Sequence, residues 1–410
     1  MNAPGPGARP AAAAAVISPL LAAFTLSLLL GLQPVTTDIY LPALPALTLA
    51  LAAPMPSAQL TMSALILAFG FAQLVWGPVA DRTGRRPVLL AGLGLYTLAA
   101  VGCAVAGSIE QLIAWRTVQG AGLGAAVVGA RAMLRDLYEP TAGAHVMSLA
   151  LSGLGLVAIC GPVLGGLVAG WLGWRAALAL VAGFGALTLA FIAWRLPETL
   201  AFRNPAATAP RALLRSWWLI ARHPTFIAWT LLVACTFGGL FTFLAGSSFI
   251  FIDVLGLAPG VYGVALGSAS VAYLGGTFVC RRWIARHGVT GAVARGAAFT
   301  LAGGVAIVVL ALAGVHSVWA VLLPQWLFSF GHGIHQPCGQ AGAVGPFPQA
   351  AGAASALAGF VLAATAFGVG RWLGIALDGT VLPYALGIGF WSLATALTAW
   401  TLVRRVALPP

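Results

Sequence analysis

Long apolar runs with arginines at their ends constrain this chain more than any other feature. A helix crossing a bilayer needs roughly 20 apolar residues, and that ruler finds twelve such stretches in 410 residues. They lie near 16–45, 58–79, 87–107, 111–133, 144–170, 174–195, 225–250, 258–280, 290–314, 317–340, 351–373 and 383–403. Backbone N–H and C=O groups in lipid must be paired within their own segment, so runs of this length are read as helices. Charged residues make up only 7% of the chain and hydrophobic ones 60%, against about 25% charged in a soluble domain. The expected class is an all-α polytopic membrane protein. The first run is longer than the ~7–15-residue core of a signal peptide and is read as a retained helix.

The arginines orient the spans. All twenty basic residues are arginine, and placing both termini in the cytoplasm puts seventeen of them on that side, as the positive-inside rule requires. They are Arg9, the Arg82, Arg85 and Arg86 turn, Arg131 and Arg135, five in or beside the central polar stretch, Arg281, Arg282, Arg286 and Arg295, and Arg404 with Arg405. Arg175 and Arg371 fall on the other side, and Arg116 falls within the fourth span. The +12 net charge is therefore spread over segment ends and does not form a face for nucleic acid. A bacterial inner (plasma) membrane is the expected location. The longest polar stretch, 197–224, divides the chain into a six-span half (1–196) and a second one (225–410). An internal echo supports this: Gly77-x-x-x-Asp81-Arg82 recurs as Gly276-x-x-x-Cys280-Arg281, 199 residues on. Parallel halves of this kind place a substrate site between them, near the midplane.

The stretch GPVADRTGRRP (77–87) resembles the signature of the major facilitator superfamily, G-x-x-x-D-R/K-x-G-R/K-R/K. RTVQGAGLGAAVVGARAMLRDLY (116–138) is similar to its fourth-span pattern, and GPVLGG (161–166) to the fifth-span pattern associated with antiporters. TDIYLPALP (37–45) and FPQAAGAASALAG (347–359) look like the bicyclomycin-resistance branch of drug:proton antiporters. The resemblance implies twelve helices in two pseudo-symmetric six-helix halves. It also implies proton-coupled efflux of small, largely apolar compounds by alternating access. A proton-coupled exporter or importer of one metabolite, such as an amino acid, is the alternative.

Asp38 is the first acid of the chain and sits inside the first apolar run. A carboxylate at the bilayer centre costs about 2.5–3.5 kcal/mol even on mild scales, and intramembrane ionisable groups are functional candidates by default. Asp38 is read as the proton carrier, on a kinked helix end marked by its flanking prolines. Arg116 stays charged and needs a buried partner, expected to be Asp38 or backbone carbonyls, with Gln119 one turn on. The resemblance gives Arg116 a part in proton transfer or cavity organisation. Gln33, Thr37, Tyr40 and Gln119, with an aromatic wall of Phe237 and Phe241 suited to aromatic or cationic drugs, are the expected cavity residues. Gly77, Asp81, Arg82, Gly84, Arg85 and Arg86 are read as a conformational lock. In it Asp81 meets the positive N-terminal end of the eleventh span, near Phe347 to Ala353, only when the inner face is closed, which biases the outward-facing state, and Asp136 is a partner for the turn's arginines. The resemblance makes Gly161, Pro162, Gly165 and Gly166 the antiporter helix bend.

No cofactor is expected beyond a proton gradient, and a monomer suffices. G-x-S-x-G, H-E-x-x-H and phosphate-loop sequences are missing, so an enzyme is not expected. The five cysteines form no C-x-x-C pair and suggest neither a disulfide framework nor a zinc site. His332, His335 and Cys338 share a helix face and are read as packing or cavity lining; no metal site is assigned.

Overall fold

The computed structural model describes residues 17–406, so Arg9 lies outside the described residues. The N-terminal half consists of α1 (Pro19–Asp38), α2 (Leu44–Ala50), α3 (Met55–Thr83), α4 (Arg85–Ala104), α5 (Ile109–Leu137), α6 (Pro140–Leu172) and α7 (Trp174–Arg195). A connecting helix α8 (Pro210–Ala221) leads to α9 (Pro224–Ser248), α10 (Pro259–Leu312), α11 (Val318–Val344), α12 (Ala351–Ala376), α13 (Leu382–Trp400) and the short α14 (Leu402–Arg405). Proline stands in the first turn of α3, α6, α8, α9 and α10, where its missing N–H costs nothing and its fixed φ suits a helix.

Nine helical segments among the described residues are long and apolar enough to cross a membrane. One of them, α10, has 54 residues and contains a non-helical Gly288 at φ 69°, so it is two spans joined at a turn. The remaining two spans are α5 and α11, with 29 and 27 residues. They are less apolar because they carry buried polar groups: Arg116 and Gln119 on α5, Gln325, Ser329, His332 and His335 on α11. The least apolar spans are thus the ones facing inward. The first span runs through a break after Asp38, where a single 3₁₀ turn (Leu41–Ala43) holding Pro42 precedes α2.

Within the first half α3 and α4 pack on α5, α1 on α6 and α4 on α7; in the second, α10 packs on α11 and α13, and α9 on both. The halves meet along two seams, α3 with α12 and α6 with α10. Gly84 at φ 118° and Gly288 at φ 69° turn corresponding arginine-rich loops in the two halves, a left-handed conformation that glycine adopts at little cost. A Cβ at Gly84 would also overlap the Glu198 carboxylate. Gly84→Ala is expected to lower stability by about 1–3 kcal/mol, whereas Gly94→Ala, in a helix and facing open space, is expected to be neutral or stabilising. Thermal unfolding of the two variants in detergent checks this; equal midpoints would contradict the turn's role.

Candidate transport path

The two ends of the bundle differ. One carries the Arg82–Arg86 turn, α8 and the start of α1; the other lies beyond Asp38, which stands about two-thirds of the way along the first span. At ~1.5 Å per residue Asp38 lies about 28 Å from the start of α1, with the 3₁₀ turn and α2 still beyond it.

Arg116, 0% exposed, organises the first half near this level. Its guanidinium donates to the carbonyls of Thr36 (3.2 Å) and Thr61 (3.4 Å) and to Gln119 Oε1 (3.1 Å), and it lies 4.0 Å over the Tyr40 ring. The Tyr40 hydroxyl bonds that of Thr61, and the Thr36 hydroxyl lies 2.6 Å from that of Tyr96. One side chain thus ties α1, α3 and α5 together, because Arg presents five donors in a planar fork. Of the two expected kinds of partner, backbone carbonyls are the ones it has; Asp38 is not among them.

Asp38 points elsewhere. Its Oδ1 accepts from Thr37 Oγ1 at 2.7 Å, and among the described residues no cation forms an ion pair with it. Its Cβ faces Gly161 of α6, where an added Cβ would stand 3.9 Å away. The GPVLGG stretch explains that closeness. A Cβ at Gly165 would come 2.6 Å from the Ile39 backbone, and one at Gly166 would overlap the Pro259 carbonyl of α10. Pro162 in turn meets Gly263. Small residues let backbones approach this closely. The stretch therefore seats α6 against Asp38's helix on one side and the opposite half on the other.

Both seams are shut at this end. Gly374 of α12 packs on Pro56 of α3, Gly166 of α6 on Pro259 of α10, and Gln59 Nε2 of α3 donates to the Ala245 carbonyl of α9, in the other half, at 2.9 Å. Toward the arginine-rich end the halves part around a cavity lined by α1, α3, α5, α9, α11 and α12, including Gln33, Gln73, Arg131, Phe237, Gln336 and Gln340. Its volume, about 100 Å³, is below the ~300–1,000 Å³ of drug-sized sites, so the halves have to part further to admit a substrate. Gly166→Leu, which would drive a side chain into the Pro259–Gly260 backbone of α10, is expected to force the α6–α10 seam open. Spin labels at Gly170, beside open space, and Val261, exposed on α10, should move apart in that variant; an unchanged distance would contradict the seam's role.

At the arginine-rich end Arg85 donates to Asp81 (2.6 Å) and Asp136 (2.8 Å). Glu198 accepts from the backbone N–H of Arg85 at 2.9 Å and of Arg86 at 3.3 Å, filling the start of α4, where a helix leaves N–H groups unpaired. Arg82 reaches Thr208 (2.7 Å) and Arg86 the Ala193 carbonyl (2.9 Å), so the turn is clamped to the connecting segment. Asp81 does not meet the start of α12 here. Arg131 does, donating to Ser355 Oγ at 3.0 Å, because it projects from α5 across the gap while Asp81 is held by Arg85. Gly77 faces Val128 at ordinary contact distance.

Residues 20–370 match the family model described as Major Facilitator Superfamily. The chain belongs to the major facilitator superfamily. It is similar to the multidrug resistance protein D of Escherichia coli K12, 32% identical over 338 residues, covering 82% of this chain and 83% of the relative. It is similar also to a chloramphenicol resistance protein of Pseudomonas aeruginosa, 31% identical over 82% of this chain and 78% of that one. Its fold resembles the crystal structure of a peptide transporter of the POT type in complex with sulfate, with TM-score 0.75, 14% identity, and 93% and 94% coverage.

As a major facilitator superfamily transporter the chain carries small-molecule substrates through a multi-pass membrane domain, and the expected site residues divide into groups. Gln33 and Phe237 line the cavity. Thr37 belongs with Asp38, and Tyr40 and Gln119 belong with Arg116. Phe241 is buried, packed near Gly370 of α12. Gln73, Gln336, Gln340, Arg131 and Ser355 were missed; amides inside apolar spans, two of them at i, i+4 on α11, were the signal. His332 Nδ1 lies 3.0 Å from Thr236 Oγ1, and His335 Nε2 donates to the Val293 carbonyl at 3.2 Å. Cys338 lies 3.5 Å from Cys280. These three side chains thus turn to separate partners, on α9 and on the two spans of α10.

Proposed function

We propose that this chain is a monomeric drug:proton antiporter of a bacterial inner membrane, exporting small compounds by alternating access, with Asp38 as proton carrier and the proton gradient as its only driving force. One observation carries it: Asp38, an intramembrane carboxyl with no cationic partner among the described residues, lies against the seam where α1, α6 and α10 meet. A group so placed exchanges its proton only when that seam opens or shuts, which ties protonation to the change of access. The names of the relatives, multidrug resistance and chloramphenicol resistance, support drug export. Arginine bias at the Arg82–Arg86 end makes that end cytoplasmic, with both termini there; the closed seam is then periplasmic and the cavity faces inward. The Asp81–Arg85–Asp136 cluster and the Glu198 cap stiffen the cytoplasmic turn as one block, and the path lies within one chain, so a monomer is complete. No residue acts as a catalyst of covalent change.

The test is expression in a pump-deficient bacterium with a susceptibility panel, followed by proton flux measured with each compound that scores. Lower drug accumulation that requires a proton gradient is expected; unchanged susceptibility across the panel would overturn drug export.

A further inference from the structure

We infer that the cavity selects uncharged or anionic, oxygen-rich aromatic compounds and excludes lipophilic cations; this rests on the export reading above and names its substrate class. The lining decides the sign of charge it tolerates. Four glutamine amides (Gln33, Gln73, Gln336, Gln340) and Arg131 line it, beside the Phe237 ring, and among the described residues no carboxylate does. The chain has eight acids. Seven of them, Asp81, Asp136, Glu139, Glu198, Glu110, Asp253 and Asp378, stand at or near the ends of the spans. Asp38 is the only one deep within a span, and it faces Gly161 outside the cavity lining.

A cation drawn into this space would lose its water without gaining a counter-ion, and would sit in the field of a guanidinium that cannot lose its charge. An oxygen-rich group meets the opposite situation. Among the described residues Arg131 makes one hydrogen bond, to Ser355 Oγ, and no ion pair, which leaves most of its five donors for a ligand. Two lining groups, Gln336 Oε1 and Thr230 Oγ1, are buried with no hydrogen-bond partner. Buried polar atoms are normally paired, and an amide oxygen can only accept. The fitting ligand therefore offers acceptors to Arg131, at least one O–H or N–H to Gln336, and a ring to Phe237. Uncharged nitro- or carbonyl-bearing alcohols and aromatic carboxylates share this chemistry.

The experiment has a binding arm and a transport arm, both with full-length protein. Equilibrium binding to detergent-purified protein is measured for chloramphenicol (uncharged), nalidixate (anionic) and tetraphenylphosphonium (cationic), followed by gradient-driven movement of each in proteoliposomes. Chloramphenicol or nalidixate should bind at least about tenfold more tightly than the cation. Arg131→Gln should weaken the anion about ten- to a hundredfold, the loss of a charge-assisted hydrogen bond, and the uncharged probe less. Arg131→Glu should bring in the cation. Anion loss alone marks carboxylates as the preferred source; equal loss for both oxygen-rich probes marks the uncharged acceptors. Cation binding by the native protein as tight as the others, or no binding of any probe, overturns the inference. Selective binding without gradient-driven movement upholds it and overturns the export reading instead.

Discussion

Asp38→Asn is expected to leave a folded protein that still binds substrate and exchanges it across the membrane at equilibrium, yet moves none against a gradient. The amide is nearly isosteric, still accepts from Thr37 Oγ1 as the carboxylate does at 2.7 Å, and keeps the spacing to Gly161 on which the α6 seam depends. It removes only the proton that Asp38 takes up and gives off. Gradient-driven transport should fall to background while binding stays within about threefold, less than the tenfold that 1.4 kcal/mol represents. Native driven flux from a well-expressed variant would end Asp38's candidacy.

Arg116→Lys should be nearly as damaging, for a different reason. The guanidinium reaches carbonyls on α1 and α3 and the Gln119 amide on α5 while covering the Tyr40 ring. A lysine ammonium is a compact point charge and cannot span those acceptors. Hydrogen bonds to charged groups are worth about 1.5–3 kcal/mol in water-soluble proteins and less in membranes. A loss on the order of 3 kcal/mol is therefore expected, read as a lower unfolding midpoint in detergent. Because Arg116 bonds the backbone of α1 and not Asp38, the same loss should appear in an Asp38→Asn background. Rescue of stability by Asp38→Asn would mean that the two groups act as a pair after all.

The spans and their division into halves were legible in the sequence because lipid leaves a chain few choices: apolar length marks each helix, and the arginines gather at the span ends on one side. The lone acid was legible for the same reason, since a charge inside a span stands out against its neighbours. Pairing was not. Sequence offered Asp38 or carbonyls to Arg116, and only the packing of α1, α3 and α5 shows which. Asp81 was set against α12 for the state in which the halves close at this end, and its partner while they are parted, Arg85 four residues on, was not foreseen. Glu198 lies in the polar stretch 113 residues after Arg85, and nothing in its local pattern tells that it caps α4. The cavity escaped for a related reason. Its wall is assembled from six helices, and Gln73 or Gln336 reads as an ordinary polar interruption until those helices are set side by side.

The most direct test of proton-coupled export uses inside-out membrane vesicles holding an imposed proton gradient and a pH-sensitive dye. Adding a transported drug such as chloramphenicol should make the native protein dissipate the gradient at a rate set by drug concentration, and collapsing the gradient beforehand should stop drug accumulation in the vesicles. Drug accumulating at an unchanged rate after the gradient is collapsed, with no proton movement when it is present, would contradict the account.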